Sequence, residues 1–332
     1  MLSIVAANVN EAYYKTMMLF KGNNSLIESA PRGERRLQYP MPIATTYKQP
    51  CERVLFDKVR DANPFFHFME SLWVIAGRND VAWLEQWLPR IRDFSDDGAT
   101  FYGAYGERMR RYNQLNDVVY RLRNEKNTTR AVVSLYDASK DSDYKGKDMT
   151  CNCTIAFGVQ NGRLNMTVFN RSNDMILGAY GANVVQFSMV QEYVAGLVNA
   201  KVGWYCQISN NAHIYPDHPK AIRVLSRDTP LTDMYSMTDC GFDAVMPYPM
   251  GAEDPRWDTG LHDFMGGAKG TVRVPFFEEV AKPMQRAHRH YRNREWTSAL
   301  TQCGYIKAED WEMACSDWIR RRHAISVAKG QT

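Results

Sequence analysis

The 332 residues are 45% hydrophobic and 23% charged, the mix of an ordinary globular protein of one large or two smaller domains. A formal charge of +4 is too small for a dedicated nucleic-acid binder, so direct nucleic-acid binding is not expected, whereas an anionic small substrate is allowed. No apolar run reaches the ~18 residues of a membrane span, the start MLSIVAANVNEAYYK lacks the pattern of a signal peptide, and a cytoplasmic location is expected.

Residues 1–20 read as a strand or the start of a helix. The stretch GNNSLIESAPRGERRLQYP is polar and rich in turn formers. It is either a solvated loop or a mobile arm that carries an arginine such as Arg32 to a phosphate. From Pro64, apolar residues recur at helical spacing, and proline suits the first position of a helix. Glu70 falls on that apolar face, between Phe68, Leu72 and Trp73. It lies at the edge of the core, or it is buried and poised for proton transfer near neutrality. VAWLEQWLPRIRDF reads as an amphipathic helix ended near Pro89. A Gly-rich segment follows, then a long basic helix, with Tyr105-Gly106 at the junction. RAVVSLYD is a strand opened by Arg130, and SKDSDYKGKDM is a polar loop.

Cys151 to Asn183 is the densest stretch. TIAFGV and LNMTVF flank Asn161-Gly162, the strongest short hairpin signal. Asn170-Arg171-Ser172-Asn173-Asp174 closes the hairpin, and a helix, VVQFSMVQEYVAGLV, follows Asn183. Beyond a short strand near KVGWYC, His213 and Tyr215 share one side if that segment is extended; taken alone, the pair reads equally as a loop histidine and its neighbour. From about residue 236 the chain is irregular, then forms two or three helices. Seven cysteines include only one close pair, Cys151 and Cys153, with no paired CxxC, so neither a structural zinc nor any other metal is expected.

A cysteine near Arg171 gains thiolate character. Arginines with Ser172 suit a phosphate. Asn183 offers a donor and an acceptor to the edge of a base. Together they suggest covalent catalysis on a nucleotide.

Seven pieces over residues 52–226 appear in one order: MESLWVIAGRND, the YG of FYGAYGER, TRAVVSLYD, the Cys151 hairpin, NRSND with LG, a following Asn, and HIYPDH with LSR. This series resembles the thymidylate synthase and pyrimidine nucleotide hydroxymethylase family. The resemblance implies an α/β (α+β) fold with a mixed sheet flanked by helices, in a homodimer. It implies a catalytic domain over 1–235, with 236–332 as an irregular and helical extension packed on it. Cys151 would add to C6 of the pyrimidine, with 5,10-methylenetetrahydrofolate as the one-carbon cosubstrate. Arg171 and Ser172 would hold the 5′-phosphate, joined by Arg32 and by Arg130 from the partner subunit. Glu70 would manage protons around base and folate, and Asp174 would contact the folate. Tyr105 matches an active-site tyrosine, Asn183 the amide at the base edge, and His213 with Tyr215 the pair near the sugar hydroxyl.

The departures bear on the reaction. Thr150 and Asn152 replace the proline and histidine around a synthase nucleophile. Thr129 replaces a second phosphate arginine. IRDF lacks the synthase tryptophan, and AYGAN is one residue longer than PFN. The sequence ends in AKGQT instead of the apolar tail that closes over folate in synthases. These features favour addition of water to the exocyclic methylene over its reduction by hydride. The expected activity is C5-hydroxymethylation of dUMP or dCMP, of the kind bacteriophages use for modified DNA. Asn183 favours dUMP, because cytosine enzymes of the family place aspartate there. The alternatives are a thymidylate synthase and a nucleotide-binding homologue without catalysis.

Overall fold

The computed structural model describes residues 1–227, 233–236, 244–267 and 272–330, with the side chain of Arg32 outside that description. The elements in chain order are β1 (Leu2–Ala6), α1 (Val9–Phe20), β2 (Ile27–Ser29), β3 (Arg36–Gln38), β4 (Ile43–Tyr47), α2 (Pro64–Ile75) and α3 (Val81–Glu85). Next come α4 (Tyr105–Arg110), α5 (Gln114–Asn124), β5 (Val132–Ser134), α6 (Ala138–Asp141), β6 (Asn152–Gln160), β7 (Arg163–Asn170) and β8 (Asn173–Asp174). The rest are α7 (Val184–Leu197), β9 (Lys201–Ser209), β10 (Ala212–Ile214), α8 (Pro219–Leu225), α9 (Trp257–Gly266), α10 (Lys282–Arg292), α11 (Trp296–Cys303) and α12 (Glu309–Ala328).

A mixed six-stranded sheet runs β1-β4-β9-β7-β6-β5. Its centre is the expected hairpin. Asn161 and Gly162 both take positive φ, 50° and 71°, which matches the twist of the strands they join. One face of the sheet is covered by α1, α7 and α5, over Tyr47, Ile155, Met166, Val168 and Tyr205, and α2 packs on α7 behind them. The alternate positions face outward: Val132, Phe169 and Trp204 are 46%, 41% and 39% exposed. A smaller sheet, β2-β3-β10-β8, lies at the end of the hairpin.

Several elements differ from the sequence expectation. The helix expected from Val81 to near Pro89 stops at Glu85, and Pro89–Phe94 forms a 3-10 turn. The long basic helix is two helices, because Tyr112 and Asn113 take left-handed φ of 54° and 60° between α4 and α5. The strand around KVGWYC is nine residues long. A helix, α9, lies in the segment read as irregular. Its buried Trp257, Leu261, Phe264 and Met265 are spaced for one helical face, masked in the sequence by glycines and prolines nearby.

The C-terminal helices pack on α2. Trp311 meets Phe68 edge-on at 5.2 Å, and Trp318 meets Phe65 at 5.8 Å. One buried apolar cluster runs from Ile4 to Ile319. Gly106 lets α4 approach α2, since a Cβ there would collide with the backbone of Val74. That contact sets Tyr105 beside the sheet.

Candidate active site

Cys151 immediately precedes β6. The ladder shifts register between Asn152 and Thr154, so Cys153 is the extra residue of a bulge. Bulges re-aim neighbouring side chains. The half-buried Cys151 Sγ lies 3.8 Å from Arg171 Nη2 and 3.8 Å from the carbonyl of Met149. The hairpin return brings Arg171 there, its backbone N–H donating to Cys151 O at 3.0 Å. Its guanidinium is fixed by Nε to Thr150 O at 2.8 Å and Nη2 to Met149 O at 3.2 Å. A fixed cation at this distance favours the thiolate. Cys153 is buried, its thiol directed to Cys151 O at 3.6 Å, and burial pushes that thiol up. Ser172, half-buried beside Arg171, makes no hydrogen bond through its hydroxyl among the described residues.

The small sheet assembles the opposite wall. Within it, His213 pairs with Asp174 on one side and Gln38 on the other. Asp174 Oδ1 accepts from the N–H groups of Ile176 at 2.8 Å and Leu177 at 3.2 Å, while burial pushes the carboxyl up. Burial lowers His213 to about 4, so its ring is neutral, with Nδ1 3.0 Å from Asn211 Oδ1. Tyr215 stands edge-on to it at 5.2 Å. Its hydroxyl is raised by burial and by the nearby Asp174.

Between these walls lie Glu70 on α2 and Gln186 on α7. Burial raises Glu70 to about 8, partly offset by a hydrogen bond with Gln186. Glu70 Oε2 and Gln186 Oε1 are buried without partners. The Tyr105 ring packs 5.4 Å from Phe187, and burial and the adjacent Cys151 raise its hydroxyl. Asn152 is fully buried with the Tyr105 hydroxyl beside its side chain, and neither its Nδ2 nor its Oδ1 makes a close hydrogen bond among the described residues.

Asn183 ends a π-helical turn, Gly178–Asn183. The extra residue in AYGAN is taken up there, as such turns accommodate single insertions at functional sites. Tyr180 is thereby turned into the core, its hydroxyl 2.5 Å from Thr16 Oγ1 and 2.9 Å from Thr45 Oγ1. Asn183 Nδ2 donates to Asn173 Oδ1 at 3.1 Å, and Asn173 Nδ2 donates to Ser209 at 3.1 Å.

The structure therefore brings together Cys151, Arg171, Ser172, Tyr105, Glu70, Asp174, Asn183, His213 and Tyr215. It does not bring in Arg130, which is exposed and precedes β5. The register Val132↔Ala156 sets Arg130 about seven residues along the ladder from Cys151, roughly 24 Å at ~3.4 Å per residue. The Arg32 side chain lies outside the described residues. Among its neighbours, Arg35 is engaged by Glu28 at the surface, whereas Arg36 acts electrostatically on both His213 and Tyr215. Sequence reasoning passed over Arg36, Asn152, Asn173 and Gln186. Gln186 had one signal, its place one helical turn after Asn183. The position of Arg36 follows from β3–β10 pairing, which leaves no local mark.

Residues 60–236 match the family model described as thymidylate synthase. A deoxyuridylate hydroxymethyltransferase of Pseudomonas phage M6 is 41% identical over 309 residues, covering 88% of this chain and 86% of that protein. Proteins of the same name from Bacillus phage SP01 and Delftia phage PhiW-14 are 39% and 33% identical; the matches cover 57% and 50% of this chain and about half of each relative.

Proposed function

The chain belongs to the thymidylate synthase family, and from that premise we propose that it transfers a hydroxymethyl group to C5 of dUMP. The observation that carries the reading is the Cys151 thiol held 3.8 Å from a fixed guanidinium, with buried amide and carboxyl atoms of Glu70 and Gln186 that find no partner among the described residues. Unpaired buried polar atoms are costly, so a site that keeps several is built for something that fills it.

Cys151, as thiolate, adds to C6 of the uracil, and the displaced electron pair moves through C5 to O4. Arg171 Nη1 and the Ser172 hydroxyl remain to bind the 5′-phosphate, with Arg36 or Arg32 from the β2–β3 segment. With Nδ2 committed to Asn173, Asn183 keeps Oδ1 to accept from N3–H of uracil. Cytosine has no hydrogen on N3. The reverse orientation requires both amides to flip and Ser209 to change from acceptor to donor. His213 and Tyr215 lie where a sugar hydroxyl would be met.

Methylenetetrahydrofolate, when bound, supplies one carbon at the oxidation level of formaldehyde. Asp174 fits it: Oδ1 is taken by backbone N–H groups, while Oδ2 is left to accept from a heterocycle. Glu70, protonated near neutrality, donates a proton where negative charge develops and, once ionised, accepts one from water. C5 of the adduct would bond to the carbon supplied by the folate; once the C5 proton has passed to solvent and the protonated folate amine has left as tetrahydrofolate, C5 carries an exocyclic methylene. Water adds to that carbon, the electrons return through the ring, and the Cys151–C6 bond breaks to release the thiolate. Asn152 is placed to hold this water.

The reading extends to a homodimer through the open sheet face, supported by the exposed Val132, Phe169 and Trp204 on β5, β7 and β9 of the one sheet. Arg130 would then serve the partner's site. Mixing Cys151→Ala with Arg130→Ala chains tests this: recovered activity supports the crossing, and none counts against it. The reaction is tested by incubation with methylenetetrahydrofolate and dUMP or dCMP, read by mass spectrometry. Hydroxymethyl-dUMP with tetrahydrofolate is expected. Methylated dUMP with dihydrofolate would overturn the reading.

A further inference from the structure

A second cavity, of about 550 Å³, lies where α10, α11 and α12 meet the N-terminal end of α2 and the Gln86–Pro89 turn. None of the residues assigned above to the reaction lines it. Most of its wall comes from the chain beyond residue 236, outside the stretch that matches the family model.

Its chemistry is one-sided. Among the described lining residues, Lys220, Arg292, Arg294, Arg322 and Lys329 face a single carboxylate, Asp61. Asp61 is already engaged by Arg321 and Arg322. Arg294 and Lys329 have no carboxylate partner among the described residues. Lys220 is lowered to about 8 by burial and by Arg60, only partly offset by Asp61, whose carbonyl accepts from its Nζ at 2.9 Å.

The walls are aromatic. Trp87 lies 4.8 Å from His288, and Tyr291 lies 4.8 Å from Trp318, with Trp296 at 5.9 Å from Tyr291. Trp87 and Trp318 are each 4% exposed, and the indole N–H of each is buried without an acceptor. An indole N–H can only donate. His288 is equally buried, neutral, and without a hydrogen bond among the described residues. Among the described lining residues the site thus sets five cations against one carboxylate that is already engaged, and offers flat apolar faces. One carboxylate would not satisfy it. A planar base joined to a chain of phosphates would, and the volume lies within the usual range for such ligands, ~300–1,000 Å³.

We propose that this cavity is a nucleotide-binding site separate from the Cys151 centre, and that it takes a nucleoside triphosphate. Its connection to the reaction is α2. Asn63 caps that helix, accepting from Phe66 N–H at 3.1 Å, and its Nδ2 donates to Trp87 O at 3.2 Å. Glu70 follows seven residues on, about 10 Å along the axis at ~1.5 Å per residue. A ligand that shifts Trp87 therefore pulls on the start of the helix that positions Glu70.

The test is equilibrium dialysis of the full chain, saturated with dUMP, against labelled dUTP, dTTP, dCTP and dATP, with inorganic tripolyphosphate as the probe without a base. At least one nucleotide should bind near one per chain, more tightly than tripolyphosphate. Trp318→Phe, which keeps an aromatic face but removes the N–H, should weaken binding by about tenfold. Arg294→Glu, at an exposed position, should weaken it by about tenfold or more through charge reversal. Absence of nucleotide binding, or binding that Arg294→Glu leaves unchanged, would overturn the proposal. So would displacement of the nucleotide by a polyglutamylated folate, which would make the cavity part of the cosubstrate site. The readout is binding, so it stands or falls independently of the reaction proposed for Cys151.

Discussion

Two clusters of buried charge lie a few residues apart in this fold and are built in opposite ways. Arg108 and Asp141 are 1% and 0% exposed, joined at 2.6 and 2.9 Å. Arg108 also donates to the carbonyls of Leu135 and Tyr102, and Asp141 accepts from the N–H of Asp137 at 2.8 Å. Each strong donor and acceptor there is met within the protein. Around Cys151 the reverse holds, with Glu70 Oε2, Gln186 Oε1 and both polar atoms of Asn152 buried and unmet. The first cluster fixes α4 against α6. The second holds capacity open for a substrate, at a cost to stability.

The sharpest break of the comparison is Cys151→Ala. It should lower turnover by about a thousandfold or more while leaving dUMP affinity within about tenfold, read by product analysis and calorimetry. The converse substitution is Arg108→Met. It strands Asp141 in the interior and should cost about 3–5 kcal/mol in urea unfolding. Adding Asp141→Leu should recover much of that loss, since two apolar residues leave no buried charge. If the single and double variants unfold alike, the pair is not the structural element described.

A smaller effect is expected at the base edge. Asn183→Asp should raise the preference for dCMP over dUMP by about tenfold or more, since a protonated carboxyl donates to N3 and accepts from N4–H of cytosine. Unchanged kcat/KM ratios for the two nucleotides would remove Asn183 from base reading. The smallest effect concerns Glu70. Burial raises it from an ordinary 4.5 to about 8, so the folded state binds more protons than the unfolded chain between those values. The stabilisation is fully present below about pH 4.5 and is lost as pH rises through about 8. Glu70→Gln has no proton to lose, so its melting temperature should gain on the wild type between about pH 5 and pH 9. Parallel curves would show that Glu70 is solvated instead.

Legibility followed the range of the interactions. Asn161-Gly162 declared the hairpin, because a two-residue turn is a local requirement. Pro64 and the apolar spacing behind it declared α2. Trp257–Gly266 was hidden, because its helical face is stabilised by Tyr193 and Phe277 from distant parts of the chain, against a local composition that favours turns. The break at Tyr112 was hidden too, since neither residue with positive φ is a glycine. In the site, the sequence points to Cys151 over its neighbour Cys153 only through the family resemblance. The bulge supplies the physical difference between them: one thiol is half-open beside Arg171 and the other is buried.

The sequence by itself determined the family and the order of the strands and helices that carry the motifs, and it singled out the residues proposed to react. Those depend on residues near one another or on fixed spacings. Tertiary structure alone decided which groups stand unpartnered. Glu70 acquires its raised pKa from the packing of α2 against α7. Arg36 reaches His213 and Tyr215 through pairing of β3 with β10, some 175 residues apart in the chain. The cationic, aromatic cavity exists only because α12 returns to the start of α2. Burial and long-range pairing are properties of the closed chain, so no local stretch of sequence carries them.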